Sequence, residues 1–230
     1  MTLRLENVEV TIQAAPILRG VNIEVGSGER VGLVGRNGAG KTTVMRAITG
    51  LATLAGGAIH WDGADISRMP PRERARLGFG YMPEDRRLVP DLTVEENMLL
   101  PAWANPALDG ARGLGFVYDL LPELGQMAGR KALQLSGGQQ KMVALGRALI
   151  AGRRLLLLDE PFEGVAPALA KRISEVIASL NGEGLSVLIA QSELSHSMEL
   201  LQRECVIERG EIIAQNTVGV GVGVGAEAET

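Results

Sequence analysis

From Leu3 to Val25 apolar and polar residues alternate in short runs, most clearly at Val21-Asn22-Ile23-Glu24-Val25. A period of two predicts antiparallel strands with one wet face. Gly26-Ser27-Gly28 reads as a turn, and Arg30 to Val34 as a short apolar strand. From Thr42 onward, Val44, Met45, Ala47 and Ile48 recur at helical spacing, and Gly50 marks a stop. Ala58 to Trp61 reads as another strand, turned by Asp62-Gly63.

The stretch from Glu84 to Ile150 has a different texture, rich in helix formers and punctuated by Pro and Gly. Thr93-Val94-Glu95-Glu96 has capping-box spacing ahead of Asn97-Met98-Leu99-Leu100. Pro101 to Gly115 reads as loose chain, and Gly137 to Leu149 as a helix ended by Gly152. Leu155 to Leu158 is a four-leucine strand, which predicts a parallel sheet covered on both faces. Pro167 to Leu180 suits a crossover helix, Asn181 to Gly184 a turn, and Leu185 to Ala190 the next buried strand. The tail Val218 to Gly225, alternating Val and Gly, reads as low-complexity chain outside the core.

The chain has 230 residues, enough for a real hydrophobic core in one domain, or in one core with an insert. Its 23 basic and 27 acidic residues give a net charge of −4, which argues against a nucleic-acid partner. One cysteine, Cys205, excludes an internal disulfide and fits a cytosolic location; its strand-like setting points to a buried structural thiol. Charges at Arg4 and Glu6 stand where a signal peptide needs an apolar run. No run of 18 apolar residues occurs, so any membrane role is expected to go through a partner.

Three segments carry candidate chemistry. Gly35-Arg36-Asn37-Gly38-Ala39-Gly40-Lys41-Thr42 fits G-x-x-x-x-G-K-[ST], after an expected strand and opening an expected helix. Its glycines let backbone N–H groups turn toward phosphate oxygens, and the helix N-terminus adds partial positive charge. Lys41 supplies a point charge to the β- and γ-phosphates, and Thr42 a hydroxyl for Mg²⁺. The bland alternative is a glycine-rich turn with a chance lysine, which the strand-and-helix context disfavours. Asp159 and Glu160 end the leucine strand, at the sheet edge where such folds bind ligands. Asp159 is the candidate to hold Mg²⁺, and Glu160 to polarise the attacking water. Beside the cradle, two merely solvated acids are the weaker reading. Ser136-Gly137-Gly138-Gln139 opens a helix whose N-terminus can meet an anion, although taken alone it is an ordinary capped helix start.

In this order and spacing the three segments resemble those of ATP-binding cassette (ABC) ATPases, over essentially Leu3 to Asn216. Gly80-Tyr81-Met82-Pro83-Glu84-Asp85-Arg86-Arg87, Leu92 to Asn97 and Gly164-Val165-Ala166-Pro167 are similar to the branch that serves importers of branched-chain amino acids, amides and urea. The resemblance implies an α/β, P-loop NTPase core with an antiparallel β subdomain and a helical subdomain. It divides the chain into a core of residues 1–83 and 151–216, a helical signature subdomain of 84–150, and a tail of 217–230. It implies ATP and Mg²⁺ as ligands, with residues 35–42 and Thr43 around the nucleotide. It implies that Ser136, Gly137, Gly138 and Gln139 contact the γ-phosphate held by a second subunit, identical or paralogous, in a head-to-tail dimer.

Three positions depart from the general family pattern. Glu84 stands where a glutamine usually touches Mg²⁺ and the attacking water. Gln191 stands where a histidine usually contacts the γ-phosphate; glutamine can donate a hydrogen bond there but carries no charge. Glu and Gln at these two positions are usual in the importer branch. Ile12 stands where an aromatic usually stacks on adenine, which implies weaker recognition of the base. His60 and His196 are assigned no chemical role.

The leading expectation is an ATP-hydrolysing importer subunit, cytoplasmic and peripheral on the inner face of the membrane. Its partners would be permease subunits, with a periplasmic or extracellular binding protein acting indirectly. Residues 84–110 would receive a short cytoplasmic helix of the permease. Two alternatives stay open: a soluble ABC-type clamp not coupled to transport, and a non-hydrolysing nucleotide switch. Intact Glu160 argues against the second alternative.

Overall fold

A computed structural model describes residues 2–180, 184–192 and 200–218. His196 and the Gly-Val repeat from Gly219 onward lie outside the described residues.

The alternating N-terminal segment forms β1 (Leu3–Ile12) and β2 (Ala15–Val25), paired antiparallel from Leu3↔Val25 to Ile12↔Ala15. They turn at Gln13 and Ala14, both at positive φ. With β4 (Gly56–Trp61) and β5 (Ala64–Asp65) they make a four-stranded sheet of order β2-β1-β4-β5. A second, six-stranded sheet has the order β10-β9-β3-β8-β7-β6. Its members are β3 (Arg30–Val34), β6 (Phe79–Met82), β7 (Leu155–Asp159), β8 (Ser186–Gln191), β9 (Arg203–Glu208) and β10 (Glu211–Thr217). Only the β9–β10 pair in this sheet is antiparallel.

The leucine strand shows why both faces had to be covered. Leu155 and Leu157 pack with the antiparallel sheet and α1 (Lys41–Ile48). Leu156 and Leu158 pack on the opposite face, among the helices. All four are fully buried, and burying a leucine stabilises by ~1.5–3 kcal/mol. Strand β8 alternates in the same way, with Val187 and Ile189 on the helical side and Leu188 and Ala190 on the other.

The helical side is built from α3 (Val94–Ala104), α4 (Gly110–Leu120), α5 (Pro122–Gln126), α6 (Gly137–Ala151) and α7 (Pro167–Ser179); the short α2 (Pro71–Arg76) precedes β6. The expected capping box forms at α3: Glu96 N–H donates to Thr93 Oγ1 at 3.1 Å, and Thr93 N–H to Glu96 Oε2 at 2.8 Å. The stretch expected to be loose, Pro101 to Gly115, is instead largely helical. Helix α3 continues through Pro101 to Ala104, and α4 starts at Gly110, where Asp109 accepts from Arg112 N–H at 3.0 Å. That cap is the local cause, and the Pro and Gly punctuation hid it. At the other end, Thr217 belongs to β10 rather than to the tail, paired with Arg203. Among the described residues, no helix is long and apolar enough to cross a membrane.

Candidate functional site

Strands β3, β7 and β8 deliver their carboxyl ends to one edge of the large sheet, in the registers Val34↔Gln191 and Asp159↔Ala190. That registry brings the segment after β3, the acids after β7 and the end of β8 together. Gly35 N–H donates to Gln191 C=O at 3.2 Å, and Glu160 N–H to Ala190 C=O at 2.9 Å.

The Gly35–Thr42 segment links β3 to α1, the strand-and-helix context expected of it. Gly38 and Gly40 take φ of 82° and 113°, a region that favours glycine. A Cβ on Gly35 would lie 2.2 Å from Ile207 C=O, so only glycine fits against β9. Arg36, Asn37 and Gly38 are exposed, Ala39 and Gly40 are buried, and Thr42 and Thr43 are half-buried. Helix α1 opens at Lys41 with N–H groups free of any side-chain cap. Its other end is tied down by buried Arg74 of α2, which donates through Nη1 to Ala47 C=O at 2.7 Å and Ile48 C=O at 2.9 Å. A cation at a helix C-terminus is favourable. Nothing in the local pattern singled out Arg74; its role needs the packing of α2 on α1.

Lys41 is 5 % exposed and turns its ammonium into the cradle. Its Nζ donates to Gly35 C=O at 2.6 Å and lies 3.1 Å from Glu160 Oε1. Glu160 is buried and sits at φ 50°. Its carboxylate also accepts from Ser192, from the N–H at 3.1 Å and from the hydroxyl at 2.5 Å. Its C=O accepts from the buried Lys141 of α6 at 2.7 Å, and the same ammonium reaches Glu163 C=O at 2.5 Å. Burial lowers the Lys141 pKa below the ordinary value, although Glu163 and Glu160 oppose the shift. Sequence reasoning missed Ser192 and Lys141. Ser192 follows Gln191 directly, and Lys141 lies on the helix opened by Ser136, so adjacency to marked segments was the available signal.

Asp159 is fully buried. Its Oδ2 accepts from Tyr81 Oη at 3.4 Å, and its Oδ1 has no hydrogen-bond partner among the described residues. Burial raises its pKa to about 6; the polar Thr42 side chain opposes this, and the charges of Glu84 and Glu160 add to it. Desolvation first, and then the Asp159 charge, push the Tyr81 phenol above its usual range. A buried carboxylate with an unpartnered oxygen, beside a hydroxyl and a second carboxylate, fits a hard divalent cation. Among the described residues, no group of three His, Cys, Asp or Glu forms a dedicated cage. One or two carboxylates are the usual protein share for Mg²⁺ carried by a nucleotide.

Glu84 is exposed and lines a cavity of about 460 Å³ with Thr42, Arg46, Tyr81 and Arg147. Gln191 is 6 % exposed, and its Oε1 has no partner among the described residues. Ile12 is 43 % exposed at the β1–β2 turn. The Ser136 turn forms a full capping box: Gln139 N–H donates to Ser136 Oγ at 3.3 Å, and Ser136 N–H to Gln139 Oε1 at 3.0 Å. Ser136 and Gly137 face solvent, while Gly138 and Gln139 are half-buried. His60 lies on β4 with Nε2 3.3 Å from Glu6 Oε2, a surface contact far from this chemistry in role.

Comparison with known proteins agrees with this geometry. A family model described as ABC transporter matches residues 18–163. The chain is 36% identical over 200 residues to the high-affinity branched-chain amino acid transport ATP-binding protein BraG of Pseudomonas aeruginosa, covering 87% of this chain and 86% of that protein. It is 34% identical over 217 residues to the lipopolysaccharide export system ATP-binding protein LptB of Haemophilus influenzae, covering 94% and 90%. Among solved structures, an ATP-binding subunit of an ABC transporter aligns with a TM-score of 0.84 at 28% identity, over 95% of this chain and 90% of that one. A dimeric ATP-binding cassette in a post-hydrolysis state, bound to ADP and Pi, aligns with a TM-score of 0.85 at 25% identity, over 94% and 99%. The cradle, the acids after β7 and these likenesses lead to one conclusion: the chain belongs to the ABC transporter ATPase family and is an ATP hydrolase with the P-loop cassette fold.

Proposed function

We propose that this ATPase powers an importer, as one half of a head-to-tail pair beneath a membrane permease. The observation that carries the catalytic reading is the Asp159–Glu160 pair. Asp159 has an unpartnered buried oxygen beside Thr42, and Glu160 is held by the cradle lysine.

On this reading the N–H groups of residues 38–42 and the N-terminus of α1 hold the phosphates of ATP. Lys41 moves its ammonium from Gly35 C=O and Glu160 to the β- and γ-phosphate oxygens. Thr42, Asp159 and Glu84 would hold Mg²⁺, whose charge would offset that of the phosphate oxygens. Glu160 takes a proton from water as the water oxygen attacks the γ-phosphorus. The bond to the β-phosphate oxygen breaks, and its electron pair leaves with ADP. Gln191 donates its amide to the γ-phosphate, and Ile12 gives the adenine an aliphatic contact in place of a ring. Ser136 to Gln139 meet the γ-phosphate bound by the second subunit, identical or paralogous. Only the closed pair makes those contacts, so ATP biases the pair toward closure.

The core of 1–83 and 151–216 binds nucleotide on this reading, and residues 84–150 carry the signature turn and receive the permease. The protein then works in the cytoplasm, peripheral on the inner face of the membrane. A binding protein acts indirectly, and nucleic acid is no partner. The likeness to BraG supports branched-chain amino acids or related amides as cargo. The likeness to LptB supports a second reading, lipopolysaccharide export.

Glu160→Gln tests the core of the proposal. The variant is expected to bind MgATP, to lose steady turnover and to elute as a dimer. Elution as a monomer with MgATP would sink the paired-site model. The identity of the membrane subunit that co-purifies from native membranes, an amino-acid permease or an export subunit, decides between the two cargoes.

A further inference from the structure

We propose that Ser192 is a positioning residue that holds the Glu160 carboxylate for proton abstraction once Lys41 has moved to phosphate. This rests on the reading of Glu160 as the general base.

Three donors converge on Glu160. Lys41 Nζ lies 3.1 Å from Oε1, Ser192 Oγ lies 2.5 Å from Oε1, and Ser192 N–H reaches Oε2 at 3.1 Å. Lys41 cannot stay in this arrangement during turnover. Its ammonium donates to Gly35 C=O at 2.6 Å and to Arg36 C=O at 3.3 Å, inside the loop that must accept phosphate. Phosphate oxygens carry more charge than two carbonyls and draw the ammonium to them. Among the described residues, Ser192 alone then remains on the carboxylate, and it holds both oxygens.

The placement of Ser192 makes it suited to this task. It follows the last residue of β8, whose Gln191 C=O accepts from Gly35 N–H at 3.2 Å. The serine backbone is therefore pinned to the first residue of the cradle. Its hydroxyl also lies 2.8 Å from Asn37 Oδ1, and 3.4 Å from Lys41 Nζ. A hydroxyl has one proton to donate. With Glu160 ionised, the carboxylate is the stronger acceptor and takes that proton. Asn37 is an exposed residue of the phosphate loop, so Ser192 stands between the loop that feels the nucleotide and the base that activates the attacking water.

Glu160 also needs holding. Its backbone is at φ 50°, a conformation that costs a non-glycine residue free energy and persists only where surroundings over-determine it. Lys141 fixes its carbonyl, and Ser192 fixes its carboxylate. The two anchors together leave the side chain little freedom to swing away from the water it must deprotonate.

The test compares Ser192→Ala and Ser192→Thr in the full chain. ATP affinity is measured by calorimetry in EDTA, and kcat and KM are measured with MgATP. Alanine keeps the backbone N–H and removes only the hydroxyl. Expected for Ser192→Ala is a fall in kcat of about tenfold, with KM within about twofold of the parent. Ser192→Thr restores kcat. An unchanged kcat in Ser192→Ala would overturn the proposal. So would a loss confined to KM or to ATP affinity, or a threonine variant as impaired as alanine. Glu160→Gln, assayed in parallel, separates the two readings. If it keeps parental kcat, the general-base reading itself fails. If it is inactive while Ser192→Ala is normal, only the role of Ser192 fails.

Discussion

Arg86 donates through Nη1 to Gln140 Oε1 at 3.0 Å, joining the loop that carries Glu84 to the helix that Ser136 caps. Gln140 in turn donates through Nε2 to Ala132 C=O at 3.3 Å and to Leu135 C=O at 3.4 Å, just before Ser136. Arg147 clamps the other side, donating to Arg86 C=O at 2.5 Å and Arg87 C=O at 2.7 Å. Both arginines of the loop sit at positive φ, 60° and 47°. A double-mutant cycle of Arg86→Ala and Gln140→Ala, read by urea unfolding, is expected to give a coupling of ~1 kcal/mol. Strict additivity would show that the contact carries no energy.

Lys41→Ala should weaken triphosphate binding at least tenfold, because it removes the buried ammonium that points into the cradle. Calorimetry with ATP reads this directly, and unchanged affinity would refute the phosphate-site assignment. The lost contacts are to two carbonyls and to the buried Glu160 carboxylate, which keeps the Ser192 N–H and hydroxyl as donors.

Gly80→Ala should destabilise by ~3 kcal/mol or more, with β6 displaced from α6. A Cβ there would lie 2.1 Å from Ala148 C=O and 2.7 Å from Gly152 N. Neither atom belongs to a flexible side chain, so relief requires backbone movement. Guanidinium unfolding measures the loss; a parental midpoint would contradict the packing of β6 on α6.

Cys205 is fully buried, and desolvation pushes its thiol up to about 11 from 9.0. The native protein should therefore resist a thiol-specific disulfide reagent at pH 8 and react after unfolding. The sign of the pH effect on stability follows. Above pH 9 the unfolded chain releases this proton while the folded chain keeps it until about 11. Stability then falls by ~1.4 kcal/mol per pH unit across that window, through this group alone. Cys205→Ala should flatten that slope, and an unaltered slope would place the titration elsewhere.

Much of the fold was legible along the chain because its signals are local. Period-two alternation placed β1 and β2, and four consecutive leucines announced a strand covered on both faces. The Thr93 capping box announced α3, and Ser136 as a helix cap announced α6. The region from Pro101 to Gly115 was misjudged because one aspartate, Asp109, caps α4 amid residues that ordinarily break helices.

Sequence alone singled out the Gly35–Thr42 loop, Asp159 and Glu160 as candidates, because the chemistry proposed for them depends on residue types at fixed short spacing. The tertiary structure decided which distant groups hold them. Ser192 lies 32 residues from Glu160, and Lys141 lies 19. Arg74 closes α1 from 26 and 27 residues away. No periodicity links such pairs. They meet because parallel pairing of β3, β7 and β8 sets three strand ends at one edge, and because a buried charge must find partners wherever the packing offers them.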